Sequence, residues 1–133
     1  MNGMMSDPAD LFFDLARWQR LLDAETEVPG GIGLLRRQDF IAREGTLLLF
    51  RDGAPGTRVS LSAYSGEADA EVGVLLVADA EAIRSLQTQG LGAARTLLRQ
   101  GRLHPYMLKT LAQLEESGLA DFVEDLGLAH PKH

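Results

Sequence analysis

At Asp79 the spacing of apolar residues along the chain changes, and that change limits the folds open to it. Upstream, between Ile32 and Ala78, apolar and polar residues alternate or run as short apolar blocks flanked by turn residues. This is the pattern of strands, whose side chains point alternately to opposite faces. Downstream the apolar residues recur every three or four positions, the stripe of helices that cover one side of a sheet. Strands followed by helices argue an antiparallel sheet under a helical layer.

Within the first region Gly45–Arg51, GTLLLFR, has the character of a buried strand. Asp52-Gly53-Ala54-Pro55-Gly56 is a hairpin-type loop, and in Thr57–Tyr64 the residues Val59, Leu61 and Ala63 alternate with Arg58, Ser60 and Ser62. Ser65-Gly66 makes a second turn before Val72–Val77. Ile32–Ile41 adds a further strand, with its alternation interrupted by RRQDF.

Ahead of the sheet, Ser6-Asp7-Pro8 is a helix start, because Asp7 caps free N–H groups and Pro8 has none to lose. Leu11, Leu15, Trp18 and Leu22 form one face of that helix, which Val28-Pro29-Gly30-Gly31 ends. Beyond the sheet, Asp79 caps a helix over 80–88, Gly90 or Gly92 separates it from a helix over 93–100, and Pro105 opens a third with Met107, Leu108, Leu111 and Leu114 inward. Gly118 closes that helix, and Leu119, Phe122, Val123 and Leu126 form a short fourth before Gly127, with residues 129–133 a frayed tail. The expectation is one α+β domain over residues 1–133: an N-terminal helix, an antiparallel sheet, and a helical C-terminal half packed on one face. A strand within 105–126 would contradict that helical half.

Charge and composition remove several function classes. A net charge of −6 argues against a nucleic-acid partner, and the absence of cysteine excludes disulfides and thiolate sites. The N-terminal stretch has no positive region ahead of an apolar run, and nothing approaches the roughly 18 apolar residues of a membrane span. A cytoplasmic protein without an integral span is expected. His104 sits beside Pro105, and His130 and His133 lie in the tail, so no metal pair forms on a helix face. No catalytic set can be assembled, and the chain asks for no resident cofactor. Arg84, Arg95, Arg99, Arg102 and Lys109 fall in a stretch without acids, followed by the acidic block Glu115, Glu116, Asp121, Glu124 and Asp125. That basic helical layer suits an anionic head group or an acidic protein partner, although a solvated face has the same composition.

QTQGLG, residues 87–92, matches the R/Q-x-x-G-x-G/A pattern at Gln87, Gly90 and Gly92 and so resembles the acetyl-CoA-dependent N-acetyltransferase superfamily. The resemblance implies that backbone N–H groups there receive a pyrophosphate, with Arg95 and Arg99 adding charge. It also requires a short loop between strand and glycines, and further strands downstream.

A longer stretch, DAEVGVLLVADAEAIRSLQTQGLGAARTLLRQGRL from Asp69 to Leu103, resembles the C-terminal half of the sterol-carrier-protein type 2 family. There a D-A-x-V strand leads into an acidic-capped helix, a glycine, a second helix and a Gly-Lys/Arg-Leu step, matched here by Asp69–Val72, Asp79–Leu86, Gly90, 93–100 and Gly101-Arg102-Leu103. GTLLLFRDGAPGTRVSLSA corresponds to the first strand pair. The resemblance implies an apolar tunnel that binds acyl chains, sterol-like molecules or other lipids without chemistry. Its candidate lining is Leu97, Leu98, Met107, Leu111, Leu114 and Phe122. The same stripes also suit a plain core, which leaves a small interaction adaptor as the third reading.

Arg95→Ala with Arg99→Ala separates these readings. If the segment holds a pyrophosphate, coenzyme A affinity falls more than about tenfold, since two charge-assisted contacts of about 1.5–3 kcal/mol each disappear. In a lipid carrier an uncharged long-chain ligand is retained. Calorimetric titration of both ligands decides.

Overall fold

The computed structural model describes residues 12–24, 28–53 and 56–126. In it the alternating segments pair into a five-stranded sheet of order β3-β2-β1-β4-β5. The strands are β1 (Ile32–Arg36), β2 (Gly45–Arg51), β3 (Arg58–Tyr64), β4 (Val74–Ala78) and β5 (Leu103–Met107). The helices are α1 (Leu15–Ala24), α2 (Arg37–Ala42), α3 (Ala80–Gln89), α4 (Ala94–Arg99), α5 (Leu111–Glu116) and α6 (Leu119–Asp125). The α+β class and the mostly antiparallel sheet are as the sequence implies. The expected helix start at Ser6-Asp7-Pro8, Leu11, the loop residues Ala54 and Pro55, and the tail from Gly127 lie outside the described residues.

Period-two alternation divides the strand side chains between two apolar layers. Ile32, Leu34, Leu48, Phe50, Val74, Leu76 and Ala78 face Trp18 and Leu22 of α1, Ala82, Ile83 and Leu86 of α3, Leu97 of α4, Leu114 of α5, and Leu119 and Val123 of α6. The opposite face gathers Leu35, Leu47, Leu49, Tyr64, Leu75 and Val77 with Val72, Phe40 and Ala68. That second layer is covered by α2 and by the crossover from β3 to β4, which ties down through Ser62 Oγ donating to the Asp69 carboxylate and Lys109 Nζ donating to the Ala70 carbonyl.

Three expectations need correction. Ile32–Ile41 is not one strand: β1 stops at Arg36, and RRQDF turns into α2, where Arg36 closes on the buried Asp39 at 3.1 Å. Nor is the sheet wholly antiparallel, because the chain leaves β3 at one edge, passes over β2 and β1, and returns as β4 parallel to β1. The third concerns Pro105, which opens no helix but sits inside β5, so the helical half is interrupted by a strand, and Leu108 is exposed. Bonds from Leu108 N–H to Gly73 O and from Asp79 N–H to Arg102 O bracket the β4–β5 ladder. Counting inward by twos puts Pro105, opposite Leu76, at a non-hydrogen-bonded position whose nitrogen faces away from β4. An edge strand tolerates proline there. At the other edge, the β3 N–H of Val59 donates to Gln19 Oε1 of α1 at 3.0 Å.

The hinge between sheet and helices is Asp79. Its carboxylate accepts from Ala82 N–H at 2.8 Å, capping α3, and from both Arg102 nitrogens at 3.3 Å. Burial disfavours its charge, but the Arg102 hydrogen bond, the Ala82 N–H and the positive charges of Arg102 and Arg37 outweigh this and hold the carboxyl below its ordinary value. A depressed carboxyl stabilises the fold above its unfolded value, about pH 4, and loses that contribution as pH falls through the lower folded value. Asp79→Ala is therefore expected to cost about 1 kcal/mol at neutral pH, in the usual range for a lost cap. Urea unfolding at a series of pH values should show the difference from wild type shrinking below about pH 4.

Candidate functional site

The candidate lining residues come from separate elements that meet over one face of the sheet. Leu97 and Leu114 are buried in the helical-side core, and Leu98, Met107 and Phe122 pack half-buried against it. Met107 arrives there from strand β5 rather than from a helix. Leu111, at the first turn of α5, is half-exposed and stands apart from that cluster.

Beside Phe122 lies a cleft of about 860 Å³ between the Leu91–Arg95 segment, the Val28-Pro29 turn and α6; Leu97, Leu98, Met107 and Leu114 do not line it. Its apolar lining is Val28, Pro29, Leu91, Phe122 and Leu126; Arg95, Asp52, Asp121, Glu124 and Asp125 stand around it. Of the residues singled out in the sequence, Phe122, Gly92 and Arg95 line the cleft together. Asp52 is held in place by accepting from Gly30 N–H at 3.0 Å, and the chains approach so closely that a Cβ on Gly30 would sit 2.3 Å from the Asp52 nitrogen. Thr57 fixes the turn's other end by donating its hydroxyl to the Val28 carbonyl. Gly118, in the left-handed conformation, makes the sharp α5–α6 turn that brings Phe122 across from Leu91. A second cleft of about 520 Å³, with Asp52 and Ser117 in common, has the mixed-charge lining Arg51, Glu71, Lys109 and Glu116.

The QTQGLG segment is an elbow between α3 and α4. The ten-residue α3 stands between β4 and the glycines, and the Gly90 N–H is already bonded to the Leu86 carbonyl, as Ala93 N–H is to Gly90. Gln87 secures the entrance to α1: its Oε1 accepts from Asp14 N–H and its carbonyl from Arg17 Nε. Arg95 and Arg99 are exposed, and only Arg95 lines the cleft. The strand downstream, β5, runs antiparallel to β4.

Among the described residues no group of three or more His, Asp or Glu is placed to hold a metal, and no helix is long and apolar enough to cross a membrane. No protein-family model and no curated protein matches the sequence. In three dimensions the chain is similar to the solution structure of a conserved hypothetical protein from Thermus thermophilus, described as possibly a sterol carrier protein. The likeness covers 96% of each chain at a TM-score of 0.50 and 20% sequence identity. At that identity it establishes a shared fold.

Sequence reasoning missed the contribution of Val28, Pro29 and Leu91, and treated Asp121, Glu124 and Asp125 as part of an acidic surface block. The i to i+4 spacing of Asp121 and Asp125 on an amphipathic helix was the available signal. Core and lining separate by mutation. Leu114→Ala, at 0% exposure, should cost about 2–5 kcal/mol, whereas half-buried Phe122→Ala should cost clearly less, as read by urea unfolding.

Proposed function

We propose that this protein is a noncatalytic binding module for an apolar small molecule such as an acyl chain, received in the cleft between α6 and the Leu91–Arg95 elbow. The observation that carries this reading is the position of the cleft, which opens on the seam where half-buried Val28, Leu91 and Phe122 meet the helical-side core. Its volume of about 860 Å³ lies in the range of small-molecule sites. Beneath it the strand residues Ile32, Leu34, Leu48, Phe50 and Leu76 are fully buried, so a chain enters along the helical layer and not through the sheet. The description of the Thermus protein as possibly a sterol carrier supports the same class of ligand. Leu97, Leu98, Met107 and Leu114 belong to the core cluster against which Phe122 packs and do not themselves line the cleft.

The elbow geometry weighs against the acetyltransferase reading, since a ten-residue helix stands between β4 and the glycines, and the Gly90 N–H is already bonded to the Leu86 carbonyl. A closed core with a surface for a protein partner is what remains if no ligand binds.

Titration with monolauroylglycerol, an uncharged single-chain probe, tests the proposal. The sole tryptophan, Trp18, is fully buried 5.8 Å from Phe50, so its fluorescence reports changes in the helical-side core. Saturable one-site binding is expected, weakened several-fold in Phe122→Ala and retained in Arg95→Ala with Arg99→Ala. Absence of binding, in titration and in native mass spectrometry of gently purified protein, rejects it in favour of the adaptor.

A further inference from the structure

The sequence places a basic stretch in the helical layer, and an anionic head group would suit it. The fold rearranges those charges. Of Arg84, Arg95, Arg99, Arg102 and Lys109, only Arg95 reaches the cleft, while Arg102 is engaged by Asp79 and Lys109 by the Ala70 carbonyl. Against Arg95 stand four carboxylates on the same lining, Asp52, Asp121, Glu124 and Asp125. Ion pairing between Arg95 and any one of them leaves the sum unchanged, and the remaining charge is negative. Because these acids stand at the surface, their field is strongest at low ionic strength and is screened by salt.

Resting on the binding reading above, we propose that the cleft selects amphiphiles by head-group sign, taking a single apolar chain that ends in a cationic ammonium group and disfavouring fatty-acid anions. The chain lies along Leu91, Phe122 and Leu126, and the head sits at the mouth that Asp52, Asp121 and Asp125 border. A carboxylate head would be repelled by the exposed acids at the mouth, whereas an ammonium is attracted to them and donates to a carboxylate oxygen. Asp52 is the most firmly placed of these, through its bond from Gly30 N–H at 3.0 Å. Asp121 and Asp125 lie one turn apart on α6, so both address the same side of the opening.

The experiment compares dodecylammonium, monolauroylglycerol and dodecanoate, which share a chain length and differ in head-group charge, each below its micellar concentration. At neutral pH and low ionic strength dodecylammonium should bind about tenfold more tightly than dodecanoate, with monolauroylglycerol between them, and the gap should narrow at high salt. Asp121→Asn with Asp125→Asn should collapse the gap. Glu44→Gln with Glu67→Gln, an equal change of net charge on the opposite face of the sheet, should preserve it. Equal or tighter binding of dodecanoate overturns the inference while leaving the binding reading intact. So does loss of the gap in the Glu44 and Glu67 variant, which would assign the preference to net charge alone. Failure of all three probes, or binding only of a basic amphipathic peptide, removes the binding reading and the inference together.

Discussion

Val74–Ala78 is apolar at every position, and a strand of that kind has to be covered on both faces. The rest of the architecture follows from that requirement. With β1 on one side and β5 on the other, β4 sends Val74, Leu76 and Ala78 toward the helices and Leu75 and Val77 toward the opposite layer. The crossover that delivers β4 next to β1 also lays Ala68 and Val72 over the second face. The parallel pairing of β1 and β4 is thus the same event as the covering of the sheet's second side. The helices are then committed to the first side, and the cleft arises where their layer meets the Val28-Pro29 turn.

Much of this was legible in the residues. The β2–β3 hairpin, the Asp79 cap, the glycine elbow, the short last helix over Leu119–Asp125 and the α+β class all rest on local spacing or on one capping side chain. What escaped depended on partners far away in the chain. The five residues of β5 include a proline, and Met107, Leu108, Leu111 and Leu114 happen to follow helical spacing, so only pairing with β4 reveals that Leu103, Pro105 and Met107 are a strand face. The parallel β1–β4 register likewise has no local signature. RRQDF was recognised as an interruption, but its outcome, a short helix closed by the Arg36–Asp39 pair, required the buried place that Asp39 finds beside Gly45.

The candidate site divides in the same way. Periodicity correctly gathered most of the apolar candidates to one side of the sheet, yet it could not distinguish residues that fill a core from residues that border an opening. Leu114 and Phe122 look alike in the sequence, and their burial differs because one lies under α5 and the other on the flank of α6. Charge was harder still. Arg95 and the α6 acids belong to blocks of opposite sign in the chain, and folding sets them around one opening.

The two ends of the sheet carry a further consequence. An open sheet has two edge strands, and their unpaired backbone groups are where strands of neighbouring molecules zip together. Here the β3 border already has a backbone donor engaged by Gln19, and the β5 border has a gap in its row of donors at Pro105. Neither rim offers an unbroken row of donors to an incoming strand. The molecule therefore carries its own stops against edge-to-edge stacking at both margins.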